Sequence, residues 1–136
     1  MKKTIFLLFL LLCIASAGQA QTIRNNSNSF IARIDDNGTI RNSSNSMIAK
    51  IESNGTIRDK GNRYLGKIES DGRIRDKNNS CLGKVESNGT VRNCSNSVLG
   101  KVSSDGIVRD KNNHQLGSAK GVPPKYVVLF FFFDIF

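Results

Sequence analysis

The 136-residue chain has no Trp, a single His, three Cys and only two Pro, which stand side by side. Each scarcity excludes something. His114 has no Ser or Cys set beside it, so neither a Ser/His/Asp nor a Cys/His nucleophile arrangement can be drawn. Cys81, Cys94 and His114 do not make a zinc spacing. The recurring Asn-Gly and Asp-Gly pairs lack the alternating acids that precede the glycine of a calcium loop. Apolar residues are scarce through the middle: Phe6, Phe9 and a Leu-rich run open the chain, and five of the eight Phe fall in its last seven residues. Between them lies a stretch rich in Asn, Ser and Gly. A chain of this length suits one domain and disfavours an enzyme with a deep buried site. The expectation is no catalytic residue, no cofactor and no metal.

The start reads as a secretory signal peptide over residues 1–20. Lys2 and Lys3 give the positive end, Ile5 to Ile14 the apolar run and Ala15 to Ala20 the small-residue cleavage region. Cleavage after Ala20 leaves Gln21 first; cleavage after Ala17 is the rival. The apolar run is shorter than the ~20 residues of a spanning helix, and Leu12 spoils a lipoprotein reading at Cys13. Losing Lys2 and Lys3 lowers the formal net charge from +9 to +7.

The other end, residues 123–136, is a Pro-Pro break followed by Tyr126 to Phe136. It is too short to span a bilayer as a helix, and a lone strand without alternation closes no barrel. The expectation is a tail that folds back and caps the domain. The alternative is membrane or partner contact through Tyr126, Phe130, Phe131, Phe132, Phe133 and Phe136.

The middle, residues 21–122, is one unit repeated. Gly38, Gly55, Gly72, Gly89 and Gly106 are 17 residues apart, each followed two residues on by an aliphatic and then by Arg. The arginines are Arg41, Arg58, Arg75, Arg92 and Arg109, with Arg24 from a partial copy. Asn28, Asn45, Asn62, Asn79, Asn96 and Asn113 keep the register, as do Ile31, Ile48, Leu65, Leu82, Leu99 and Leu116. A last column is Ile34, Ile51, Ile68, Val85, Val102 and Ala119.

Seventeen residues with β-branched columns and two turn signals predict two short strands. At the first turn, Glu52 to Thr56, a three-residue loop with a left-handed Gly sets Ile51 opposite Ile57 and Lys50 opposite Arg58, which keeps apolar residues together. At the second, Asp59 bonds back to the backbone and Asn62 closes in the left-handed region, which sets Ile57 opposite Leu65. Leu65 and Ile68 lie three apart, so a bulge at Gly66 and its counterparts is expected to turn both inward. The fold class is all-β: a pseudo-symmetric closed ring of short hairpins with the apolar tail packed on it.

The signal peptide, the Gln-Thr-Ile-Arg start, the repeated phrasing around Glu-Ser-Asp-Gly and the Phe-rich end together resemble the five-fold β-flower proteins, exported proteins typical of Bacteroidetes. The resemblance implies hairpins about a pseudo-five-fold axis and no established activity. Thr22 to Arg24 and Gln115 to Ala119 remain as half-units able to pair and close the ring, which would bring the symmetry nearer six.

Two features carry candidate chemistry. The Arg column (Arg24, Arg41, Arg58, Arg75, Arg92, Arg109) faces Arg33, Lys50, Lys67, Lys84 and Lys101 across the hairpins, with Glu52, Glu69 and Glu86 on the same face. It reads either as a solvated ion-pair ladder or as an anion-binding ring for acidic polysaccharide or another envelope component. Nucleic acid is disfavoured, since no aromatics interleave the arginines. Cys81 and Cys94 fall at one end of the ring on adjacent units; a disulfide competes there with core filling by Cys81. The reading is a non-enzymatic, exported structural or binding module of the periplasm or surface of a Gram-negative bacterium. Peripheral membrane contact and oligomerisation stay open through the tail.

Overall fold

The computed structural model describes residues 21–136, so the signal-peptide assignment lies outside the described residues. Twelve strands follow one another: β1 Gln21–Asn25, β2 Phe30–Ile34, β3 Thr39–Asn42, β4 Met47–Ile51, β5 Thr56–Asp59, β6 Tyr64–Ile68, β7 Arg73–Asp76, β8 Cys81–Val85, β9 Thr90–Arg92, β10 Val98–Val102, β11 Ile107–Asp110 and β12 Gln115–Ser118. Each pairs antiparallel with its sequence neighbours, and β1 pairs with β12 (Arg24 opposite Ser118, Asn25 opposite Gly117) to close the barrel. The two half-units therefore complete one another. Five glycine turns join the hairpins, and the sixth position is the seam where the chain enters and leaves.

Two turn types alternate, and both follow from local chemistry. In the first, Gly55 N–H bonds Glu52 O at 2.9 Å and Glu52 N–H bonds Thr56 O at 2.8 Å, with Gly55 at φ +90°. That backbone conformation suits glycine, and the five equivalents run from +87° to +92°. Ile51 faces Ile57 and Lys50 faces Arg58, the register that the three-residue loop predicts. In the second, Asp59 Oδ1 accepts from the N–H groups of Gly61 (2.8 Å) and Arg63 (2.9 Å), while Asn62 closes the turn at φ +68°.

The pairing after this second turn differs from expectation. Ile57 lies opposite Gly66 and not Leu65, because Arg58 pairs with Tyr64 and the register slips between the two pairs. The bulged residue is Leu65 itself, one position before the expected site. Alternation then points Gly66 and Ile68 inward. Leu65 and its equivalents are turned only part of the way and are half-buried against the core. The fully inward columns are Ile23, Ile40, Ile57, Ile74, Val91 and Val108 (all 0% exposed), the Ile34-to-Ala119 column, and the small column Ala32, Ala49, Gly66, Gly83, Gly100 and Gly117.

These side chains cannot fill the barrel. About eight strands enclose a space that side chains alone can pack; twelve strands lined by Ile, Val, Ala and Gly leave an open axis. The tail fills it. Helix α1, Pro124–Phe131, is an eight-residue helix starting on Pro at its first position. Its ~12 Å length matches the height of strands four or five residues long. Val127, Val128 and Leu129 are 0–2% exposed in the same core as the strand residues. The tail thus folds back and covers the ring's apolar surface as expected, and it does so as a partly helical plug inside the barrel.

From the last residue of the helix onward the chain curls along the small column. A Cβ at Gly117 would lie 2.6 Å from the Phe131 ring, at Gly100 2.7 Å from Phe132, at Gly83 2.5 Å from Phe133 and at Gly66 3.3 Å from Ile135. Successive tail residues meet successive alternate strands, β12, β10, β8 and β6.

Gly100→Ala is therefore expected to destabilise the protein by ~1–3 kcal/mol through overpacking against both the Arg109 backbone carbonyl and the Phe132 ring, and the double change Gly100→Ala/Phe132→Leu to recover only the ring's share of that loss in urea unfolding. A second prediction concerns acid. Backbone N–H groups, from Arg63 first, hold the Asp59 carboxyl below the ordinary aspartate value, the Arg63 charge adding to them and partial desolvation opposing. The His114 and Asn112 N–H groups do the same for Asp110. A folded pKa below the unfolded ~3.9 gives stability that is complete above about pH 4 and is lost as pH falls through the folded value. Asn25, Asn42 and Asn93 make the same paired bonds at the equivalent position. Asp59→Asn/Asp110→Asn should fold normally at neutral pH and lose less stability than the parent on acidification, read from urea midpoints.

Candidate functional site

The outer wall carries the charged columns. The register sets Arg33 opposite Arg41, Lys50 opposite Arg58, Lys67 opposite Arg75, Lys84 opposite Arg92 and Lys101 opposite Arg109. Like charges directly opposite would repel, and the arrangement is relieved by acids placed at the neck of the glycine turns. Arg41 Nε meets Asp35 Oδ2 at 2.9 Å and Arg58 Nε meets Glu52 Oε1 at 2.6 Å. Arg75 pairs in the same way with Glu69, and Arg92 with Glu86. Asp35 serves a second guanidinium, Arg33, at 3.1 Å. The hydrogen bond from Arg41, with the charges of both arginines, holds the Asp35 carboxyl below the ordinary value against partial desolvation.

A second anchor is absent from the sequence pattern. In every member of the column Nη1 donates to the carbonyl of the left-handed Asn four residues on: Arg24 to Asn28 O (3.1 Å), Arg41 to Asn45 O (3.3 Å), Arg58 to Asn62 O (3.3 Å), Arg75 to Asn79 O (3.3 Å), Arg92 to Asn96 O (3.1 Å) and Arg109 to Asn113 O (3.3 Å). The turn and the Arg column are therefore one device, which orders the guanidinium along the strand. The paired side chains are about one-quarter to two-fifths exposed, so each ion pair contributes ~0–1 kcal/mol and the column remains accessible.

The other sequence-selected residues lie elsewhere. Cys81, at the start of β8, and Cys94, in the turn after β9, are joined by a disulfide with Cα atoms 6.0 Å apart. Cys81 is exposed and does not fill the core. The bond closes a segment of 13 residues, a constraint of ~3 kcal/mol on the unfolded chain in the entropic model. His114 is exposed, and its N–H bonds Asp110 Oδ1 at 2.9 Å. No group of three His, Cys, Asp or Glu side chains converges among the described residues.

Of the tail aromatics, Phe133 is buried; Tyr126, Phe130, Phe131 and Phe132 are partly buried; Phe136 is 42% exposed. The Phe130 and Phe136 rings stand 5.1 Å apart. They border a hollow of about 370 Å³ formed by Leu129–Phe136 at one end of the barrel. At the glycine-turn end an open cleft of about 530 Å³ lies between the start of the tail and the turns at 52–55 and 69–72. Among the described residues no helix is long and apolar enough to cross a membrane.

No curated protein and no solved structure shows a significant match to the chain. Residues 20–134, however, match the family described as 5-fold beta-flower protein. The match runs through the repeats, the closing half-units and almost all of the plug, and it agrees with a closed ring of hairpins bearing five glycine turns. The chain belongs to the 5-fold beta-flower protein family.

Proposed function

We propose that the chain is an exported, non-catalytic repeat module of a bacterial envelope, acting as a binding or structural element through its outer wall. The observation that carries this reading is the use made of the tail. Val127, Val128, Leu129 and Phe133 are at most 7% exposed, so the apolar segment is largely occupied in holding the barrel open. That leaves the repeated basic wall as the main surface for a partner. A wall that offers the same groups in each unit suits a repeating ligand, which engages several units at once. It does not suit one asymmetric transition state. Export is supported by the signal-peptide pattern of residues 1–20 and by the Cys81–Cys94 bond, of a kind that persists in oxidising compartments.

A second reading is favoured by one observation: Phe136 is 42% exposed beside partly buried Phe130, Phe131 and Phe132. Such an apolar end could rest on a membrane surface or on another copy of the chain.

Fractionation of cells followed by a high-salt wash separates the two. Recovery in the soluble periplasm, or release from the envelope by salt, is expected if the basic wall is the working surface. Retention after salt that is lost in Phe136→Ser would overturn it in favour of the apolar end. Deleting residues 123–136 is expected to abolish cooperative urea unfolding altogether, since it empties the barrel axis. A truncated protein that unfolds cooperatively would show the tail to be free for other use.

A further inference from the structure

The charge pattern of the outer wall fails in one sector. The acids that meet the column arginines stand at Asp35, Glu52, Glu69 and Glu86, 17 residues apart. The next position in the register is Ser103 and the one after it is Lys120. Arg109 and Arg24, the arginines those positions would serve, accordingly have no carboxylate within 4.0 Å among the described residues. Each guanidinium is held by its single Nη1 bond to a turn carbonyl, which orders it and leaves its remaining N–H groups free of protein partners among the described residues.

These residues flank the closing strand. Arg109 on β11 pairs with Gln115 of β12, and Arg24 on β1 pairs with Ser118 of the same strand. Lys101 lies opposite Arg109, and exposed Lys120 follows β12. The carboxylates nearest in sequence are tied to their own turns: Asp105 accepts from Ile107 N–H, and Asp110 accepts from Asn112 and His114 N–H. Where four units pair their column arginine with a carboxylate, the seam thus presents Lys101, Arg109, Arg24 and Lys120, none of which has a carboxylate within 4.0 Å among the described residues.

We propose that this seam is an anion-binding site for a carboxylate-bearing polysaccharide. The proposal rests on the outer wall being the working surface. A planar guanidinium takes a carboxylate through two parallel N–H bonds. β11 and β1 are two strand spacings apart, ~10 Å across the sheet, so a small anion cannot bridge the two forks while an extended polymer can. Between them Ser118 and Gln115 offer a hydroxyl and an amide to sugar hydroxyls. Aromatic side chains are absent from β11, β12 and β1, and beside the seam Phe30 on β2, opposite Arg24, stands as a single ring without a run of rings to stack successive bases, which favours sugar over nucleic acid.

The test measures binding of the mature protein to immobilised alginate at low salt, with neutral dextran and single-stranded DNA as comparisons. Ser103→Glu places beside Arg109 the acid that Arg58, Arg75 and Arg92 already have, so its fold is one the molecule itself uses. Ser103→Glu and Arg24→Gln/Arg109→Gln are each expected to weaken alginate binding at least about tenfold. Arg58→Gln/Arg75→Gln, which removes the same charge from units whose column arginine is already paired with a carboxylate, is expected to weaken it by a smaller factor than the seam variants do. Equal losses in the two double variants would mean that binding follows net charge, and the seam would be refuted while the wall survived. No alginate binding by the parent would refute the wall reading along with it. Tighter binding to DNA than to alginate, with the same dependence on Arg24 and Arg109, would overturn the ligand class.

Discussion

The width of the barrel is the constraint on which the rest of the structure depends. Twelve short strands close without an exposed edge, which such strands need, but they enclose more space than their own inward side chains can occupy. An empty apolar axis would forfeit contacts along its whole lining. The tail satisfies that need, and the small column exists to admit it: where Gly117, Gly100 and Gly83 lack a side chain, Phe131, Phe132 and Phe133 lie against the backbone. The remaining two positions, Ala32 and Ala49, lie farther round the ring than the tail reaches in this succession. An apolar segment that would be hazardous alone is thereby turned to the inside.

The wall itself is made by short-range devices repeated without change. Each unit alternates a glycine turn with an Asx turn closed by a left-handed Asn. Both are specified within five residues, so neighbouring strands find their register locally and only the β1–β12 pairing joins the chain ends. The Asx turn has a further effect on the surface. Its Asn carbonyl receives the column arginine, so backbone geometry and side-chain order come from the same five residues.

Repetition makes departures informative. Four units neutralise their arginine with a carboxylate, and the two that do not are those at the junction of the chain ends. The disulfide is likewise confined to one unit boundary, between β8 and the turn after β9. A wall that would otherwise look the same from every side acquires a front through these exceptions. Ser103 and Lys120 were readable as exceptions in the repeat register; their consequence for Arg109 and Arg24 needed the observed ion pairs.

Much was legible in the sequence alone. The 17-residue period, both turn types, the facing of Ile51 with Ile57 and of Lys50 with Arg58, and the pairing of the half-units all follow from contacts between residues close in sequence or equivalent in register. Three things were settled only by tertiary structure. The bulge falls on Leu65 and not on Gly66, because the small position must face the lumen to receive the tail. Cys81 is at the surface and bonded, because its column ends up outside the wall. The tail becomes a helix inside the barrel, because the space it fills comes into being only when the twelfth strand meets the first, and no local pattern in residues 124–131 records how wide that space will be.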